Sequence, residues 1–145
     1  MDNNDRETGF ELEVQFDDKG LVPAIVQDVQ SGQVLMVGWM NGQALEQTLR
    51  TGQVTFFSRS RNTIWVKGES SGHVQEVVDA RVDCDQDVIL LRCQSHGPCC
   101  HAGYQSCFYR SIGPVGKLRF VEEKVFDPEQ VYRKERAEGE GASNE

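Results

Sequence analysis

At 145 residues the chain has the length of one domain, and Lys+Arg 15 against Asp+Glu 23 leaves a net charge of -8. That acidic balance argues against a general nucleic-acid surface or an anionic-membrane surface, both of which need a basic excess. Cys 5 is an odd count, so an isolated monomer cannot pair all its thiols in disulfides. The first residues, MDNNDRETGFELE, are polar and acidic, with none of the basic-then-apolar order of a secretory signal, and nothing later has the apolar length of a membrane span. A soluble protein of the reducing cytoplasm is expected, where clustered cysteines serve metals or catalysis more often than disulfides.

Three regions follow from composition: a polar extension at 1–9, one domain at 10–126 and a charged tail at 127–145. Residues 21–29 and 33–39 are rich in Val, Ile and Leu around a Ser31-Gly32 turn, which predicts a hairpin. Asn41 caps a predicted helix through Arg50 with Ala44, Leu45, Thr48 and Leu49 on one face, and Gly52 stands near its end. Strands are predicted at 54–58, 63–67, 74–83 and 88–93, an irregular loop at 94–105, and further strand at 107–110 and 118–125. A helical turn is predicted at 127–132, before a disordered stretch at 133–145. The fold class is α+β, mainly β, in a compact single domain.

Three segments carry chemistry. In Asp83-Cys84-Asp85-Gln86-Asp87, strand alternation would put the three carboxylates on one face, fit for a hard cation such as Mg²⁺; a solvated acidic edge is the alternative. An EF-hand is excluded, because Val88 and Gln94 stand where the loop needs Gly and Glu. In Gly97-Pro98-Cys99-Cys100-His101-Ala102-Gly103, followed by Ser106-Cys107-Phe108, the spacing of Cys100 and Cys107 is too long for a zinc knuckle. A glycine-rich loop can still close them on one ion with Cys84 as a third ligand, leaving the open position of catalytic zinc; inert buried thiols are the alternative. In Ser58-Arg59-Ser60-Arg61 and Trp65-Val66-Lys67-Gly68-Glu69-Ser70-Ser71-Gly72, arginines, hydroxyls and loop amides suit a small anion, and a plain exposed hairpin is the alternative.

In this order, together with Leu35-Met36, Met40-Asn41, Ala44-Leu45 and Thr51-Gly52, the segments closely resemble the phosphoribosyl-AMP cyclohydrolases of histidine biosynthesis. The resemblance implies a Zn²⁺- and Mg²⁺-dependent hydrolase that opens the adenine ring of 1-(5-phosphoribosyl)-AMP at N1–C6. It implies zinc ligands at Cys84, Cys100 and Cys107, magnesium ligands at Asp83, Asp85 and Asp87, and an intimate homodimer in which Cys84 crosses to the other subunit's thiolates. Ser58, Arg59, Ser60, Arg61, Trp65, Lys67, Glu69, Ser70 and Ser71 are the expected substrate contacts, and His101, beside a ligand, is the candidate proton carrier. Cys99 departs from the small residue common at its place, and Cys93 is expected in the core. Two other classes are weighed against this one. A zinc nucleobase deaminase needs H-x-E and P-C-x-x-C, which the chain lacks. A zinc-stabilised binding module needs a fourth protein ligand, for which Cys93, Cys99 and His101 are available.

Overall fold

The structure, a computed structural model, describes residues 3–129. In β1 (Val22–Asp28), Val22, Ala24 and Val26 point inward and are fully buried, as period-2 alternation requires of a strand with one face on the core. A turn at 29–33 returns the chain as β2 (Val34–Met40), antiparallel to β1, with Gly38 opposite Ala24. A Cβ on Gly38 would stand 2.5 Å from the Phe56 ring, so this glycine is the space into which Phe56 packs.

Helix α2 (Gly42–Thr51) starts at Asn41, whose side chain accepts from the Ala44 amide at 2.8 Å, and stops at Gly52, whose φ of 77° closes the last turn onto the Thr48 carbonyl. It buries Ala44, Leu45 and Thr48; the predicted face also held Leu49, which is 47% exposed. The Thr48 hydroxyl donates to Ala44 O at 2.8 Å and accepts from the Thr55 amide at 3.0 Å, joining the helix to the next strand. That strand, β3 (Thr55–Ser58), forms an antiparallel hairpin with β4 (Thr63–Val66). β5 (Gln75–Val82) and β6 (Ile89–Ser95) are antiparallel partners, and β6 lies parallel to β1, giving the order β2-β1-β6-β5. The core lies between this sheet, α2 and the β3–β4 hairpin, with Leu35, Met40, Phe56 and Leu91 among its largest fully buried side chains.

The mainly β expectation holds, with two differences at the edges. The last strands are β7 (Arg110–Ile112) and β8 (Leu118–Phe120), a small separate hairpin. It starts later than the expected strand at 107–110 and is shorter than that at 118–125; residues 106–109 are held by the Ser106 hydroxyl, by the Cys107 amide on Leu35 O and by the stacking of Tyr109 on Tyr104. A short helix α1 (Asn3–Thr8) forms in the extension for which no element was expected. Of the expected turn at 127–132, Pro128 and Glu129 are helical; the remainder, with the tail at 133–145, lies outside the described residues. Among the described residues no helix is long and apolar enough to cross a membrane.

Candidate active site

The loop after β6 shows how thiols seven residues apart come together. The Cys99 amide donates to Gln105 O at 3.0 Å and the Cys100 amide to Tyr104 O at 3.1 Å, so residues 99–105 fold back on themselves. Ser106 fastens the returning strand of this loop to β2: its hydroxyl donates to Val34 O at 2.8 Å and accepts from the Phe108 amide at 2.9 Å. The Cys107 amide donates to Leu35 O at 2.7 Å. Tyr104 stacks on Tyr109 with centroids 3.7 Å apart, closing the outer side.

The thiols of Cys99, Cys100 and Cys107 consequently share hydrogen bonds. Cys100 is raised well above the ordinary thiol range, first by its bond to Cys107 and then by burial. At Cys107 the bond from Cys100 acts downward, but the bond to Cys99 and burial outweigh it and push the thiol up to about 11. Cys99 is lowered, chiefly by the Cys107 bond, with Lys67 helping. The Ala102 amide also points at Cys100 Sγ, at 3.4 Å, a contact that favours a thiolate there. Cys99 is 2% exposed and packed into the apolar core, so its sulfur is turned away from solvent. Cys93 is a core residue, as expected, and burial, then the charge of Asp28, pushes its thiol up to about 12.

Beside Cys107 opens a cleft of about 300 Å³ between β2 and the β3–β4 hairpin. Of the expected site residues it brings together Ser58, Arg59, Trp65, Lys67, His101 and Cys107. Ser60, Arg61, Glu69, Ser70 and Ser71 lie nearby in sequence but do not line it. Their loops are nevertheless ordered by local bonds: Ser58 Oγ meets Ser60 Oγ at 3.3 Å and accepts from the Arg61 amide at 3.3 Å, and Ser71 Oγ accepts from the His73 amide at 3.2 Å. Sequence reasoning missed Trp39, which lines the cleft and carries the Arg59 guanidinium over its ring at 5.0 Å. No local signal marked it, because β2 buries Leu35, Met36 and Met40 while Val34 and Val37 are exposed, with no strict alternation to single out Trp39.

His73 was missed as well. Its ring meets Phe126 edge-on at 5.1 Å and bonds the Pro98 carbonyl, pinning the start of the cysteine loop. Burial, more than the nearby charge of Lys67, holds its pKa below the usual 6.5, while the Pro98 bond opposes the shift. The folded chain therefore binds this proton more weakly than the unfolded one. Its contribution to stability is complete above 6.5 and is lost as pH falls from that value through the lower one of the folded state. Urea unfolding midpoints at about pH 7.5 and about pH 5.5 should show this loss, and His73→Gln should flatten part of it. An unchanged pH slope in the variant would assign the loss elsewhere.

The aspartates and Cys84 stand apart from this cleft. Residues 83–88 form a turn, not the strand whose alternation predicted a shared carboxylate face: the Gln86 amide donates to Asp83 O at 3.0 Å and Gln86 has a left-handed φ of 58°. Asp83 Oδ1 caps the turn, accepting from the amides of Asp87 at 3.0 Å and Val88 at 3.2 Å. Asp87 is raised by its side-chain bond to Asp83, then by burial and the charges of Asp83 and Asp85, which is the repulsion a hard divalent cation would relieve. Cys84 is exposed and directs its thiol to Asp85 at 3.9 Å.

Cys84 and Cys100 leave β6 from opposite ends, and a seven-residue strand spans roughly 20 Å. Among the described residues of one chain, no three His, Cys, Asp or Glu side chains are arranged to hold a metal ion. Paired Cys100 and Cys107 offer the soft donors zinc prefers, but two thiols are an incomplete set.

A cleft with cationic and aromatic walls, two paired thiols at its rim and a histidine beside them is the equipment of an enzyme acting on a small anionic substrate. The phosphoribosyl-AMP cyclohydrolase profile matches residues 36–109. A protein of that name from Chlorobium limicola is 50% identical over 133 residues, 92% of this chain and 97% of the relative. One from Pelotomaculum thermopropionicum is 51% identical over 126 residues (86% and 98%), and one from Rhizorhabdus wittichii is 57% identical over 114 (79% and 92%). The chain belongs to the phosphoribosyl-AMP cyclohydrolase family and is an enzyme.

Proposed function

We propose that the chain hydrolyses the N1–C6 bond of the adenine ring of 1-(5-phosphoribosyl)-AMP, a step of histidine biosynthesis, as a cytoplasmic homodimer with two shared metal sites. The observation that carries this reading is the pairing of Cys100 and Cys107 at the rim of the Arg59–Lys67 cleft, with the third candidate thiol, Cys84, at the far end of β6. A two-fold dimer whose interface set one subunit's Cys84 turn against the other's cysteine loop would complete both sites at once, because an isologous contact is reciprocal. Cys84, Cys100 and Cys107 would hold zinc, and Asp83, Asp85 and Asp87 would hold Mg²⁺. When bound, zinc supplies the Lewis acidity that activates water near neutral pH, and Mg²⁺ the charge that neutralises phosphate.

The chain's own residues do the rest. Arg59, steadied on Trp39, and Lys67, buried beside Trp65, hold phosphate oxygens, and the Ser58 hydroxyl adds a hydrogen bond. Trp65 and Phe56, with centroids 5.4 Å apart, give the cleft an apolar wall for the purine. His101 delivers a proton to N1 as the bond to C6 breaks, so that the ribosylated nitrogen leaves neutral. Glu69, Ser60, Arg61, Ser70 and Ser71 shape the two loops that flank the cleft.

Purified chain supplied with zinc and Mg²⁺ should change the ultraviolet absorbance of phosphoribosyl-AMP saturably, as the purine chromophore opens. Absence of turnover by chain that carries zinc would overturn the reading.

A further inference from the structure

One buried polar residue, Gln86, is not among the candidate ligands or substrate contacts. It is 4% exposed, yet its backbone is left-handed at φ 58°, a region glycine enters freely and other residues enter at a cost. A side chain retained at such a position is expected to perform a task that glycine cannot. The task is visible in its bonds. Gln86 Oε1 accepts from the Glu13 amide at 2.7 Å, and Nε2 donates to Arg6 O at 3.2 Å and to Glu11 O at 3.3 Å. Both ends of the amide are thus spent on the backbone of the N-terminal segment, from 73 to 80 residues away in sequence.

Phe10 is fully exposed and Leu12 is 53% exposed, Leu12 facing Leu45 and Ile89 and Val14 packing on the core, and the Gln86 amide adds the polar tie between these residues and the turn. Between the N-terminal segment and the Asp83–Asp87 turn lies a hollow of about 320 Å³, into which Cys84 faces alongside Arg6, Glu11 and Gln86. Gln86 is two residues from Cys84 and next to two of the aspartates, so whatever fixes Gln86 fixes their turn.

We infer that Gln86 is a positioning residue: its amide ties the N-terminal segment across the Asp83–Asp87 turn and sets the stance from which Cys84 reaches the metal. The inference rests on the proposed zinc site and adds to it a part for residues 6–15, which the composition read partly as a polar extension.

Gln86→Gly separates this role from a merely structural one, because glycine keeps the left-handed turn and the bond from the Gln15 amide to the residue 86 carbonyl while deleting the three side-chain bonds. Two readouts are measured on the full-length protein. Hydrogen exchange at the Glu13 amide should accelerate about tenfold or more, and zinc affinity, read by competition with a chromogenic chelator, should weaken about tenfold or more, as for lost outer-shell support. Gln86→Asn, which tolerates the same backbone but is one methylene shorter, should fall between wild type and Gln86→Gly. Wild-type zinc affinity in Gln86→Gly, with or without faster exchange, would overturn the inference, as would unchanged exchange at Glu13. A wild-type chain that neither binds zinc nor opens the substrate ring would sink the functional reading itself and this inference with it. A zinc-binding, active wild type beside an unaltered Gln86→Gly sinks only the inference.

Discussion

Mixing inactive Cys84→Ala chains with inactive Cys107→Ala chains, under conditions that exchange subunits, is expected to restore activity that neither possesses alone. In a heterodimer one site receives both substitutions, while the other keeps Cys84 from one subunit and Cys100 with Cys107 from its partner. Random exchange makes about half the dimers mixed, each with one of two sites intact, so about one quarter of wild-type activity should return. Zinc content should rise in the same proportion, which gives a readout independent of turnover. The expectation follows from two observations: Cys100 and Cys107 share a hydrogen bond at one end of β6, and Cys84 leaves from the other. Each parent should lose essentially all activity, since two remaining thiols cannot hold zinc in the geometry that three impose. No recovery in a verified heterodimer, or zinc retained by isolated Cys84→Ala, would refute a site shared between subunits.

The second large effect concerns a residue without functional atoms. Gly68 has φ 85°, and a Cβ there would overlap the backbone of His73 and Val74. Gly68→Ala therefore combines left-handed strain with a collision that no rotamer change relieves, because the obstacle is main chain. A loss of about 3 kcal/mol or more is expected, lowering Tm by roughly 10 °C. The damage should be local first. Gly68 O accepts from the Gly72 amide at 2.8 Å, and His73, at the end of that loop, bonds Pro98 two residues before Cys100. Lys67 and the cysteine loop would both shift, so phosphate binding and zinc affinity should fall even below the unfolding transition. Thermal denaturation and zinc titration check the two parts separately. Gly116→Ala, where φ is 83° but nothing lies within 4 Å, isolates the strain alone and should cost less.

Much of the site chemistry was legible along the chain. The Asn41 cap, the Gly52 stop and the alternating Val22, Ala24 and Val26 are local signals, set by the nearest few residues, and each element formed where those signals placed it. The 83–87 segment was legible as chemistry and illegible as shape. Its alternating aspartates imitate a strand, but Asp83 caps its own turn and Gln86 takes a left-handed backbone, with its side chain held by residues more than 70 positions earlier. Trp39 and His73 escaped notice for a similar reason. Each matters through one neighbour, Arg59 or Pro98, that only folding brings close.

Length and residue pattern determined by themselves a single, mainly β domain, and the order of the motifs carried a resemblance that matches the family to which the chain belongs. The tertiary structure decided how the thiols divide. Cys93 and Cys99 go into the apolar core, Cys100 and Cys107 are paired by a loop fastened to β2 through Ser106, and Cys84 stands at the other end of β6. Residue types and spacing reveal which chemistry is available. Which groups meet depends on strand length, register and burial, and those arise only when segments distant in sequence pack against one another.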